Sequence, residues 1–342
     1  MNRKKLINIG ACRNRKDRSR TGGVVVLFEA WLQFCREQNL NTVTIDTNKA
    51  NYNNRLAAYF SILCRFICNF GGHSVVMLHG TANDYLLLAP VLIFISKLCG
   101  KKVVLRKFAG NFEEIYNASN GIKKRVYNYV LRKSDVQFWE TKSLVTFGKE
   151  KGRESLWFPN VREKNDAKRP KDKPFMRRFV FLSRVEKMKG LDILMECFAS
   201  LPDGYHVDIY GPVKDYETSE LSGKNFTYKR PVELSEVAET LAQYDVLVLP
   251  TLWKTEGYPG IIIEGYGVGI PSIASRIGAI PEIVENGKEG FLTEPGNVDD
   301  LRRTILSINE ENYKELASNA RAAFNTFDAK LTNDKVLNIV MS

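Results

Sequence analysis

The chain has 342 residues, 44% hydrophobic and 26% charged, with a mean hydropathy of −0.25; these are ordinary globular values that exclude wholesale disorder and low-complexity fibre. No run approaches the ~18–20 apolar residues that a membrane-crossing helix needs, which excludes a polytopic membrane protein. The formal net charge of +11 is unevenly spread: residues 1–165 carry 28 Lys/Arg against 12 Asp/Glu, a net +16, and residues 166–342 carry 22 against 27, a net −5.

At about 100–200 residues per domain, the length predicts two domains. The basic first half suits a polyanion, such as an anionic membrane surface, a phosphorylated acceptor or nucleic acid, and it also reads as a plain solvated face. Six scattered cysteines with no C-x-x-C pair read as free thiols, not as a disulfide framework or a zinc site.

Arg3-Lys4-Lys5 is followed by too short an apolar run for a secretory signal, so residues 6–9 read as a buried strand. After a loop ending Arg20-Thr21-Gly22-Gly23, residues 24–38 read as a helix and 42–45 as a strand. Two apolar helices, 57–70 and 85–99, alternate with strands at 75–78 and 103–105, and 123–132 is a basic helix. The charged stretch 162–174, with Pro170 and Pro174, reads as a linker. The rhythm then restarts with strands at 178–183, 206–210, 246–250 and 271–274 and helices at 190–201 and 234–244, with a further helix opening at 261–265. Strands alternating with helices predict parallel sheets covered on both faces, with ligands at the carboxyl ends of strands.

Three segments carry chemistry. Thr255-Glu256-Gly257-Tyr258-Pro259-Gly260 follows an apolar strand and opens a helix, whose unpaired N–H groups can cradle a diphosphate or a sugar. Glu256 and Glu264, about two helical turns apart, offer bidentate acceptors for vicinal hydroxyls, although each also reads as a surface residue. Arg184 and Lys189 span a strand-to-helix loop and can straddle a diphosphate, or serve as surface charge. Gly22-Gly23 permit close backbone approach to a ligand, or form a plain loop.

In order, Arg184-x4-Lys189, a strand ending Asp208-Ile-Tyr-Gly-Pro212, Glu256-x7-Glu264, Gly269-Ile-Pro271 and Gly278-Ala-Ile-Pro281-Glu282 together resemble the retaining glycosyltransferases of family 4. The resemblance runs over roughly residues 178–305, and more loosely through Gly22-Gly23, Leu105-Arg106-Lys107-Phe108-Ala109-Gly110-Asn111-Phe112 and Trp157-Phe158-Pro159-Asn160. It implies the α/β GT-B fold, two Rossmann-like domains facing across a cleft. The first, 1–165, would bind acceptor and the second, 166–325, a nucleotide-sugar donor, with 326–342 a helix packing back toward the first.

The resemblance further implies that Arg184 and Lys189 neutralise the departing diphosphate and Glu256 holds the transferred sugar. Gly257, Tyr258, Pro259 and Gly260 would contact sugar and phosphates through their backbone, and Glu264 would bind the ribose hydroxyls. Gly22 and Gly23 would approach the diphosphate, and the base would lie near Tyr210-Gly211-Pro212 and Arg230-Pro231-Val232. Arg106-Lys107 stand where many relatives carry a His that orients the donor sugar; together with His79, which ends the preceding strand and also reads as a buried or capping residue, they are candidate sugar or acceptor contacts. Arg230 stands where a glycine is commoner.

No Asp-x-Asp motif occurs, so neither a metal nor another cofactor is expected. The expected activity is metal-independent transfer, with retention, of a sugar from a nucleotide sugar to a glycan or lipid-linked saccharide in surface polysaccharide (lipopolysaccharide or capsule) synthesis. The expected location is cytoplasmic, peripheral to the inner face of the membrane. A nucleotide-sugar epimerase of the same fold and a non-catalytic nucleotide-sugar-binding protein are the competing readings. A nucleic-acid-binding role is disfavoured by the acidic second half and the lack of zinc-finger or RNP-type motifs.

Overall fold

The computed structural model describes residues 5–16, 22–72, 74–108, 110–151, 153–165, 167 and 173–342. Arg3, Lys4, Arg20, Thr21, Ala109 and linker residues 166 and 168–172, all drawn into the sequence reading, lie outside the described residues. The chain falls into two compact units, one formed by Met1–Pro159 and Lys330–Ser342, the other by Asn160–Ala329.

In the first unit, strands β1 (Lys5–Gly10), β2 (Thr42–Asp46), β3 (Ser74–Gly80), β4 (Lys102–Lys107), β5 (Val136–Trp139) and β6 (Glu154–Trp157) form a wholly parallel sheet in the order 2-1-3-4-5-6. All seven residues of β3 are buried, the signature of a strand covered on both faces. Helices α1 (Gly23–Glu37), α2 (Arg55–Cys68), α3 (Ala82–Leu87), α4 (Ala89–Leu98), α5 (Phe112–Ala118), α6 (Gly121–Lys133) and α7 (Lys142–Lys151) connect the strands. With right-handed crossovers this order puts α1 on one face and the other six helices on the opposite face.

The apolar run 85–99 is two helices, not one. Pro90 lies in the first turn of α4, where its missing N–H costs nothing, whereas within a continuous helix it would meet the carbonyl of Leu86. The Asp84 carboxylate accepts the Thr81 N–H at 2.9 Å and starts α3. Strands β5 and β6 were not read from the sequence. Among the described residues, no helix is long and apolar enough to cross a membrane.

The second unit contains β7 (Arg178–Leu182), β8 (His206–Tyr210), β9 (Ser222–Gly223), β10 (Phe226–Tyr228), β11 (Val246–Leu249), β12 (Ser272–Ser275) and β13 (Gly290–Thr293). They run in the order 13-12-11-7-8-10-9, parallel except at β9–β10. Helices α8 (Leu191–Ala199), α9 (Val237–Ala242), α10 (Gly260–Val268), α11 (Val298–Ser307) and α12 (Glu310–Ala323) complete it. The final helix, α13 (Ala329–Met341), returns the chain to the first unit, where Val336 and Val340 are buried and Lys102 Nζ donates to the Ile339 carbonyl at 2.6 Å.

Neighbouring strands β7 and β11 send their connections to opposite sides, β7 toward β8 and β11 toward β12. The carboxyl ends of such a pair form the crevice where ligands bind in open α/β sheets. In the first unit the corresponding pair is β1 and β3. The stretch read as linker begins as structure: the Arg162 N–H donates to the Phe327 carbonyl and the Ala329 N–H to the Arg162 carbonyl, each at 2.9 Å. Two hydrogen bonds therefore tie Arg162 to the returning chain beside Asp328.

Candidate active site

The loop after β7 ends at Gly190, whose φ of +78° opens α8. A Cβ there would sit 1.9 Å from the Pro250 carbonyl oxygen, so glycine lets this loop pack against the end of β11. Lys189, immediately before it, is buried and donates from Nζ to Glu256 Oε2 at 2.5 Å. Arg184, half exposed, pairs through Nη2 with Glu186 Oε1 at 2.9 Å, and Lys214 takes the other oxygen of this buried carboxylate, also at 2.9 Å. Two cations thus share one anion there.

The loop after β11 presents Glu256. Thr251 Oγ1 donates to Glu256 Oε2 at 3.0 Å, and the Leu252 N–H reaches the Met188 carbonyl at 2.9 Å, joining this loop to the Lys189 loop. The Glu256 N–H closes a turn on the Trp253 carbonyl at 3.0 Å. Behind it, the Ala279 N–H donates to the Glu256 carbonyl at 2.8 Å, and Gly278 (φ +56°) passes so close that a Cβ would lie 2.3 Å from that carbonyl oxygen.

Tyr258 is buried, with its hydroxyl on Glu282 Oε2 at 2.6 Å and its carbonyl accepting Asn160 Nδ2 at 3.0 Å. Its side chain is committed to structure. Pro259 caps α10 and Gly260 begins it; the Ile262 N–H closes on the Pro259 carbonyl at 3.1 Å, and the N–H groups of Gly260 and Ile261 before it have no partner within the helix. Glu264, in the second turn, accepts from Arg162 Nε at 2.5 Å. Gly211 (φ +136°) packs the end of β8 against β7, since a Cβ there would lie 1.7 Å from the Ser183 carbonyl oxygen. Nearby, Arg230 forks onto Glu236 at 2.9 and 3.1 Å.

Arg184, Lys189, Glu256, Gly257–Gly260 and Glu264 therefore lie in the loops and first two helical turns after β7 and β11, and Gly211 follows the adjacent β8. Gly22, Gly23, His79, Arg106 and Lys107 belong to the other unit. Gly22 and Gly23 open α1, and a Cβ on either would meet no atom of the described residues within 4 Å. Neither packing nor a positive φ requires glycine at these positions.

His79, next to the end of β3, is fully buried against Phe28, with ring centroids 4.8 Å apart, and among the described residues neither ring nitrogen has a hydrogen-bond partner. Burial, and then the charge of Arg106, hold its pKa well below the ordinary imidazole value, so the ring is neutral. The Arg106 guanidinium lies 3.5 Å over the Phe158 ring, and burial pushes its pKa down to about 9. Burial pushes Lys107 down to about 8, and its Nζ donates to the Phe108 carbonyl. All three side chains are interior.

Sequence reasoning missed Arg162, which it placed in the linker, and Glu186 and Thr251, and it gave no role to Glu282, which it quoted only as the end of a motif. None of these stands at a telling spacing. Their roles come from contacts made across the fold.

Residues 176–311 match the family model for glycosyl transferases group 1, and this segment is a glycosyltransferase group 1 domain. It contains Arg184, Lys189, Glu256 and Glu264. The chain is 31% identical over 153 residues to an uncharacterised glycosyltransferase of Methanocaldococcus jannaschii, covering 42% of this chain and 41% of that one. It is also 31% identical over 84 residues to the UDP-Gal:alpha-D-GlcNAc-diphosphoundecaprenol alpha-1,3-galactosyltransferase of Escherichia coli, covering 25% and 21%. The matches thus span less than half of either relative. Among solved structures, Anabaena HepE in complex with UDP superposes with a TM-score of 0.73 at 16% identity, covering 98% of this chain and 99% of that one. The chain has the GT-B fold.

Proposed function

We propose that the chain is a glycosyltransferase that moves a sugar, with retention at the anomeric carbon and without a metal ion, from a nucleoside-diphosphate donor to a glycan or lipid-linked acceptor in surface-polysaccharide assembly. The observation that carries this reading is the Lys189–Glu256 pair at the β7/β11 crevice of a group 1 domain. A buried cation suits a departing diphosphate, and a carboxylate beside it suits sugar hydroxyls. The UDP of HepE and the UDP-sugar donor and diphosphoundecaprenol acceptor in the E. coli relative's name favour uridine diphosphate and a lipid-linked saccharide.

In this reading, Lys189, Arg184 and the N–H groups opening α10 stabilise the leaving diphosphate. Attack occurs on the face it leaves, and a departing phosphate oxygen takes the acceptor's proton, so no protein base is required. Lack of an Asp-x-Asp motif supports charge neutralisation by side chains instead of a metal.

The reading includes contact of the first unit with an anionic membrane surface. Helices α2, α4 and α6 carry eight Lys/Arg and no Asp or Glu. Leu56, Phe60, Ile67, Val91, Phe94 and Leu98 are exposed on α2 and α4, beside an apolar groove of about 240 Å³. An apolar centre with an excess of cations around it, of which Lys97 is paired with Asp135, suits lipid with acidic headgroups.

The test is a panel of UDP-, GDP-, ADP- and dTDP-sugars with metal chelated, with and without extracted lipid-linked saccharides. Nucleoside diphosphate release that requires one donor and an acceptor is the expected result. Binding without release under any acceptor would favour a sensor, and failure to bind any donor would overturn the reading.

A further inference from the structure

We propose that Arg162 is a positioning residue for Glu264, holding its carboxylate in the orientation that accepts the hydroxyls of the donor's ribose. This rests on the donor reading above and extends it to a residue outside the matched segment of the chain.

Arg162 Nε donates to Glu264 Oε1 at 2.5 Å, with both side chains 22% exposed. The guanidinium is fixed on its other edge, where Nη1 donates to Asn160 Oδ1 and to the Val161 carbonyl, the latter at 3.0 Å. Asn160 is itself anchored through Nδ2 on the Tyr258 carbonyl. The Arg162 backbone is tied in both directions to Phe327 and Ala329.

Gly260 gives independent support. Its φ is not positive, so backbone conformation does not demand glycine. A Cβ there would lie 1.6 Å from Arg162 Nη2, so the bare backbone at the start of α10 is what admits the guanidinium. Helix start, guanidinium and Glu264 thus form one assembly. Arg162 engages Oε1 and leaves Oε2 for a hydroxyl. The planar guanidinium fixes the direction of the carboxylate through a charge-assisted bond.

The experiment is calorimetric binding of UDP and of 2′,3′-dideoxy-UDP, or the same pair for whichever nucleoside diphosphate the wild type binds. The wild type is expected to prefer the ribose form. Arg162→Ala should lose most of that preference, roughly tenfold, while its affinity for the dideoxy form stays unchanged. Arg162→Lys should restore part of it, and Glu264→Gln added to Arg162→Ala should change the ratio no further. Circular dichroism checks the fold, and Arg162→Lys against Arg162→Gln makes the same comparison if the alanine variant is unstable. An unchanged ribose preference, or equal loss for both nucleotides, would overturn the positioning role alone. Wild-type protein that binds no nucleoside diphosphate would overturn the donor reading instead.

Discussion

Lys189 and Glu256 meet at 2.5 Å with side chains only 9% and 14% exposed. The buried cation of the site is therefore neutralised by the site's own carboxylate. A simple anion has to displace that carboxylate and gives it no new partner. In the reading proposed above, a nucleotide sugar would bring a diphosphate for Lys189 and hydroxyls for Glu256, so exchange of partners would favour the whole donor over inorganic phosphate.

The pair separates stability from catalysis. Lys189→Ala is expected to lower turnover roughly 10²–10³-fold and to destabilise the fold by about 3 kcal/mol by stranding Glu256. Adding Glu256→Ala should recover much of the melting temperature and none of the turnover. Calorimetry and nucleoside diphosphate release read the two effects, and near-wild-type turnover in Lys189→Ala would remove the diphosphate role.

Gly23 and Gly190 should behave in opposite ways. Gly23 begins α1 with open space around its missing Cβ, so Gly23→Ala is expected to leave the melting temperature unchanged or raise stability by up to about 1 kcal/mol. If a ligand fills that space, donor or acceptor KM rises. Gly190→Ala puts a Cβ at φ +78° and 1.9 Å from the Pro250 oxygen, and should cost more than about 2 kcal/mol.

His79 sets an acid limit on stability. Its folded pKa lies well below its ordinary value of 6.5, so below that pH the unfolded chain binds a proton that the folded chain does not. This contribution is fully present above pH 6.5 and is lost on acidification toward the folded pKa, at about 1.4 kcal/mol per pH unit. Urea midpoints between pH 5 and 7 should fall with acid less steeply in His79→Leu than in the wild type; parallel curves would show that the imidazole does not titrate this way.

The first unit should bind vesicles rich in anionic lipid and release them in high salt. Lys123→Glu with Lys124→Glu should weaken binding through charge, and Phe60→Ser with Phe94→Ser through insertion. Co-sedimentation measures both, and equal binding to neutral vesicles would contradict the electrostatic part.

Much of this was legible in the sequence because period and spacing are local. Apolar runs marked the first four strands, and Arg184-x4-Lys189 and Glu256-x7-Glu264 marked the loops that the fold brings to one crevice. Strands β5, β6, β10 and β13 are three or four residues long and, unlike the equally short β11, each contains a polar residue that breaks its apolar run. Pro90 divided a helix that hydrophobicity alone made continuous. Arg162 was unreadable because its partners, Glu264 and the backbone around Asp328, are more than a hundred residues away and its neighbours are a charged stretch.

The bridge between Arg162 and Asp328 has an evolutionary consequence. The chain enters and leaves the second unit at two adjacent, hydrogen-bonded points, so that unit is a closed insertion whose ends already meet. A segment of this kind can be exchanged for a homologous one without lengthening any connection, and loop closure adds little entropy cost when the ends are held together. Recombination at these two points would swap the whole group 1 domain, with Arg162, Glu264 and Lys189 still matched to one another, as a single cassette.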